Sequence, residues 1–104
     1  MRDNRAMAEL TVILWRDIPA QLTATGGGAT VRRELSPRFQ NAIDAAAMRA
    51  GLVGSDEYLA GWRRETRACA DDLDAEVAAE AGRLEAEFDR ETLLALTRNG
   101  GARP

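Results

Sequence analysis

Two tryptophans stand directly before arginines in this chain, in Trp15-Arg16-Asp17 and Trp62-Arg63-Arg64, with Tyr58 four residues before the second. An arginine beside an indole can stack on the ring or direct its planar fork at a carboxylate or phosphate. Trp15, Arg16, Asp17, Tyr58, Trp62 and Arg63 are therefore the candidate binding residues, suited to an anion or a protein surface. The competing reading is structural: large aromatics usually anchor small cores, with the arginines pointing outward by alternation.

Two further sets are weaker. Cys69 precedes Asp71 and Asp72 at a helix start, where the dipole would favour a thiolate and the carboxylates would oppose it. An inert thiol is the better reading. Glu76 and Glu80, with Glu87, Asp72 and Asp89 nearby, lack the spacing of a calcium loop, and Glu80 to Arg83 reads as an ordinary surface pair. No metal and no cofactor is expected.

Much catalytic chemistry is missing. The chain has no histidine, which removes the commonest general base and the histidine-assisted nucleophiles. All 14 cationic residues are arginine, so no lysine can form a Schiff base. One cysteine makes neither an internal disulfide nor a cysteine-based zinc site. The expectation is a protein that is not an enzyme.

The 104 residues carry a net charge of -3 and suffice for one domain. Of the apolar residues, 20 are alanine, leaving material for one modest core. Arginines outnumber acids up to residue 68, and acids dominate after it. Such a bipolar chain can face a charged partner or itself, so a protein partner and a possible homodimer are expected. Arg32, Arg33, Arg38, Arg63, Arg64 and Arg67 raise the question of nucleic acid, but the overall acidity argues against it. No apolar run is long enough for a membrane span, and the start lacks the apolar region of a signal peptide. A cytoplasmic location is the expectation.

The elements follow from periodicity. Residues 9–16 read as a strand with Leu10, Val12 and Leu14 on one face, and Thr11, Ile13 and Trp15 on the other. Apolar residues on both faces suit a central strand, and Pro19 demands a turn or bulge. Residues 20–25 and 29–35 alternate around Gly26-Gly27-Gly28 and predict a hairpin. The triplet lacks the remainder of a phosphate loop. Ser36 and Pro37 open a helix with Phe39, Ile43, Ala46, Ala47 and Ala50 on its apolar face, closed by Gly51 and Leu52. This alanine face suits close approach to a sheet. Residues 53–70 predict a short helix around Tyr58, then an extended segment that can add a strand near 63–69. A helix over 72–88 is capped by Asp71 or Asp72 and faces inward through Leu73, Val77, Ala81, Leu84 and Phe88. Gly82 marks a point of close packing within it. Asp89 starts a last helix at 90–98, stopped by Gly100-Gly101. Strands first and helices later predict an α+β fold: a small antiparallel sheet against two to three helices, in two layers. The single domain runs from 9 to 98, with flexible ends at 1–8 and 99–104.

Four stretches carry a family resemblance: LTVILWRDIPA (10–20), RFQNAIDAAAMRAGL (38–52), SDEYLAGWRR (55–64) and CADDLDAEVAAEAGRL (69–84). They resemble the small bacterial domain family named "virulence factor", over residues 9 to 97. Trp-Arg-Asp-Ile-Pro at 15–19 is the most specific piece. That family also occurs at the end of HEAT-repeat proteins called conserved virulence factor C; no HEAT array is present in this chain. The resemblance assigns no reaction, so it implies no catalytic residue. It implies a small interaction or accessory domain. Similarity to small genes beside one-carbon and corrinoid methyl-transfer genes implies, as an alternative, a ligand-binding or accessory subunit of such enzymes.

Overall fold

The computed structural model describes residues 8–103. The expectation of a flexible start at 1–8 therefore lies, apart from Ala8, outside the described residues. Three strands form a meander, β1 (Ala8–Trp15), β2 (Ile18–Gly26) and β3 (Ala29–Glu34). The helices α1 (Pro37–Arg49) and α2 (Asp56–Ala60) follow, then β4 (Trp62–Cys69), α3 (Leu73–Glu87) and α4 (Arg90–Arg98). The sheet order is β3-β2-β1-β4, and all pairings are antiparallel. This is the α+β architecture that the periodicity predicts, with the segment near 63–69 as the fourth strand.

Local chemistry explains the joints. Gly27 and Gly28 both take positive φ, which gives the hairpin a two-residue turn whose twist matches the flanking strands. Pro19 lies inside β2 beside a bulge: Ile13 pairs with Gln21 and Leu14 with Pro19, which leaves Ala20 unopposed. β1 is central, and its Leu10, Val12 and Leu14 are buried under the helices with their β2 partners Ala24, Leu22 and Pro19. From above come Phe39 and Ile43 of α1, Val77, Ala81 and Leu84 of α3, then Phe88, and Leu93 and Leu96 of α4.

Four local expectations need correction. Ser36 sits at the start of α1, but its hydroxyl caps nothing there. It donates to Glu85 Oε1 of α3 at 2.8 Å, and Glu85 Oε2 accepts the Ser36 N–H at 2.7 Å, so a distant carboxylate does the capping. Ala50 is the exposed C-cap residue that follows α1, and Ala42 takes its place on the buried face. That alanine face seats α4 as well as the sheet. Gly82 is exposed with open space where a Cβ would project, so close packing does not explain it.

Candidate functional site

The structure brings all six candidate residues to one corner, where the β1–β2 turn meets the start of β4 and the chain's C-terminal end. Trp15 is completely buried, although alternation along β1 places it on the sheet face of Thr11 and Ile13, opposite Leu10, Val12 and Leu14. Its cover is Tyr58 of α2, Gly61 and Gly101. The indole Nε1 donates to the Tyr58 carbonyl at 2.7 Å, and the two rings sit 5.7 Å apart. Tyr58 meets Trp62 edge-on at 6.2 Å. A Cβ on Gly61 would lie 2.6 Å from Trp15 Nε1, and one on Gly101 would lie 2.6 Å from Trp15 Cζ3.

Arg16 turns the chain. It holds φ at 54°, the left-handed region that side chains avoid. Three hydrogen bonds secure it: its N–H donates to the Gly61 carbonyl at 2.8 Å, its carbonyl accepts from Arg63 Nε at 2.8 Å, and its Nη1 donates to the Gly100 carbonyl at 2.9 Å. Its guanidinium also lies over the Trp15 ring, 4.9 Å from the centroid. Asp17 collects what remains. Its N–H donates to the Gly101 carbonyl at 2.9 Å, and its carboxylate accepts from Arg63 at 3.2 Å and from the Arg103 N–H at 2.7 Å. Residues 99–103, expected to trail loosely from the last helix, are thus hydrogen-bonded to the turn that Trp15-Arg16-Asp17 forms. Gly61, Gly100, Gly101 and Arg103 belong to the corner but carry no motif that sequence reasoning could single out.

Cys69 is not part of this cluster. It pairs with Ala8 at the far end of β4, about 23 Å along the strand from Trp62. Burial, then the Glu76 carboxylate, pushes its thiol above the ordinary value. A pocket joining Cys69 to Arg16, Asp17 and Tyr58 does not form.

A second feature is a groove between β4 and α3. Arg63, Glu65 and Arg67 stand opposite Leu14, Val12 and Leu10, on the helix-facing side of the sheet. α3 does not reach over them. Arg67 bridges the gap instead with ion pairs to Glu76 and Glu80, while Arg83 pairs along α3 with Glu80 and Glu87, and Arg103 reaches Glu87 from the C-terminal segment. Glu80, read from sequence as a surface acid, is a buried charge forked by Arg83, because the groove draws its side chain inward. The Arg83 hydrogen bonds outweigh burial and hold the Glu80 carboxyl below the ordinary carboxylate range. Burial opposes ionisation of Glu85, but the Ser36 hydrogen bonds and the Arg38 guanidinium more than offset it, so Glu85 is also lowered.

Both acids bind fewer protons when folded than when unfolded, so their stabilising contribution is present at neutral pH. It is lost as the pH falls below about 4.5 and through the lowered folded values. Calorimetric melting temperatures should fall across that window, and Glu80→Gln should flatten the fall. A slope identical to that of the parent would remove Glu80 from this account.

A third feature is a concavity of about 330 Å³ between α1 and the loop before α2, lined by Asp44, Ala47, Met48, Val53, Gly54 and Tyr58. Tyr58 joins it to the Trp15 corner. Among the described residues no group of three or more histidine, cysteine, aspartate or glutamate side chains is placed to hold a metal ion. No helix among them is long and apolar enough to cross a membrane.

No curated protein and no solved structure matches the chain. A family model described as "Virulence factor" matches residues 13–97. The match includes only the last three residues of β1, but it covers the corner residues from Trp15 to Arg63, the acids and arginines of β4 and α3, and nearly all of α4. The chain belongs to the Virulence factor family.

Proposed function

We propose that this chain is a non-enzymatic interaction domain. One observation carries the reading: the Trp15 indole, Arg16, Asp17 and Arg63 direct hydrogen bonds at the chain's own carbonyls, amides and carboxylates, while large apolar side chains on α1 and the following loop face solvent. Trp15 is inaccessible, and Arg16 and Asp17 tie down the C-terminal end. Trp62 and Arg63 lie at the edge of this cluster, and the Trp15–Tyr58–Trp62 stack stiffens the segment that carries Val53 and Tyr58. Pre-ordered surface of this kind favours association because little freedom is lost on binding. The absence of histidine and lysine from the chain points the same way.

The test has two readouts. The immobilised full chain should retain a stoichiometric protein partner from an extract of its source cells. Its melting temperature should not move with inorganic phosphate, a folate or a corrinoid. A ligand at about 100 times its Kd adds about 2.7 kcal/mol, which a thermal-shift screen detects readily. A shift with any of the three supports a carrier role in one-carbon or methyl transfer instead. That shift, or an extract from which nothing is retained, overturns the proposal.

A further inference from the structure

The concavity beside α1 combines apolar exposure with acids that, among the described residues, no cation pairs. Met48 and Val53 are 71% and 66% exposed, which is unusual for side chains of this size in a core-poor chain. Leu59, next to Tyr58 in α2, is 65% exposed. The walls are fixed in shape. Gly51 and Gly54 hold φ at 73° and 78° and turn the loop, and buried Leu52 pins it between them. The Ser55 hydroxyl donates to the Leu52 carbonyl at 2.6 Å and accepts the Tyr58 N–H at 3.2 Å. The Tyr58 carbonyl is in turn held by the buried Trp15 indole.

Charge selects the occupant. Asp44 lines the concavity, Asp56 and Glu57 open α2 immediately after its Val53-Gly54 wall, and among the described residues no cation lines it. All three acids are exposed, and among the described residues none is in an ion pair. The acids of the β4–α3 groove, by contrast, each face an arginine. An acidic rim repels phosphate-bearing ligands and anionic lipid. It also opposes a second copy of this chain, because a two-fold contact through this patch would set Asp44, Asp56 and Glu57 against themselves. An apolar cleft with this rim matches a segment that presents apolar side chains at three- and four-residue spacing, flanked by lysine or arginine.

We infer that the Ala47–Met48–Val53–Tyr58 concavity docks a basic amphipathic helix of a partner protein. The inference rests on the interaction-domain reading and names the partner class. Apolar side chains of the helix enter between Met48 and Val53. Its cations meet Asp44, Asp56 and Glu57, which speeds encounter and sets orientation.

The test is a backbone and methyl NMR titration of the full chain with three synthetic peptides of equal length. One is a leucine–lysine amphipathic helix, the second carries glutamate for every lysine, and the third has the first composition scrambled. The amphipathic basic peptide should shift resonances within 44–58 and bind at least about tenfold more tightly than the other two, with weakening at high salt. Met48→Ser should abolish the preference over the scrambled peptide. Asp44→Asn with Glu57→Gln should abolish the salt dependence. Both variants change exposed side chains, and an unchanged melting temperature confirms that each is folded. Equal binding of the scrambled peptide, shifts that map to α3 or β4, insensitivity to Met48→Ser, or no binding would each overturn the inference. So would concentration-dependent self-association that Met48→Ser disrupts, which would make a second copy the occupant. None of these results bears on partner retention or ligand shifts, by which the interaction-domain reading stands or falls.

Discussion

Trp15→Ala should destabilise the protein by about 3–5 kcal/mol, the range for removing a large aromatic from a core. That is a large share of the ~5–15 kcal/mol available to a domain of this kind. The indole is completely buried, and it is the common wall of Tyr58, Gly61 and Gly101. Its loss leaves a void, strands the Tyr58 carbonyl and removes the surface on which Arg16 stacks. Urea unfolding measures the total. Hydrogen exchange gives the more specific signature: the Arg16 and Asp17 amides, which donate to Gly61 and Gly101, should lose protection together. Trp15→Phe keeps much of the volume but loses the indole donor. It should cost less, by roughly the cavity that the larger truncation creates. A change below about 1 kcal/mol for Trp15→Ala would mean that the corner is not organised around this ring.

How far the sequence foretold this corner depends on what each residue type advertises. Alternation in β1, positive-φ glycines in the hairpin and the spacing of Leu73, Val77, Ala81, Leu84 and Phe88 are local signals, and each produced the element expected of it. β4 carries the weakest strand signal because its helix-facing residues are Arg63, Glu65 and Arg67. α3 does not cover the Arg63, Glu65 and Arg67 side of this edge strand, so no apolar alternation is required there, and charges at an open edge also discourage pairing with other chains. Glu80 and Glu85 were opaque for a related reason: each meets its partners through tertiary contact, and a buried, paired acid looks like a surface acid in sequence. Trp15, Arg16, Asp17, Tyr58, Trp62 and Arg63 were visible as a set because tryptophan is rare and both copies precede arginine. Their commitment to one another was not visible, because it runs through backbone atoms of Gly61, Gly100, Gly101 and Arg103. A glycine in a sequence does not say which ring it makes room for. The concavity at Met48 leaves no trace in the sequence, because an exposed methionine on a helix has the same spacing as a buried one.

Gly101→Ala should be the most damaging of the small substitutions, and two other glycines separate its causes. Gly27 holds φ at 57° in open space, so Gly27→Ala reports backbone strain alone, about 1–2 kcal/mol. Gly61 ends α2 at φ −74°, an ordinary value, so Gly61→Ala reports collision with the Trp15 ring alone, about 1–3 kcal/mol for overpacking. Gly101 carries both penalties, with φ at 94° and a Cβ that would lie 2.6 Å from Trp15 Cζ3. Its substitution should therefore cost roughly their sum, about 2–5 kcal/mol. The steric part depends on the indole, so a double-mutant cycle isolates it. In a Trp15→Ala background, Gly101→Ala should cost less than it does in the parent by the steric part, about 1–3 kcal/mol, because the ring it would strike is gone. Gly61→Ala in that background should cost almost nothing. If Gly101→Ala is as mild as Gly27→Ala in the parent itself, the C-terminal turn does not press on Trp15. The tie between residues 99–103 and the β1–β2 turn would then rest on its hydrogen bonds alone.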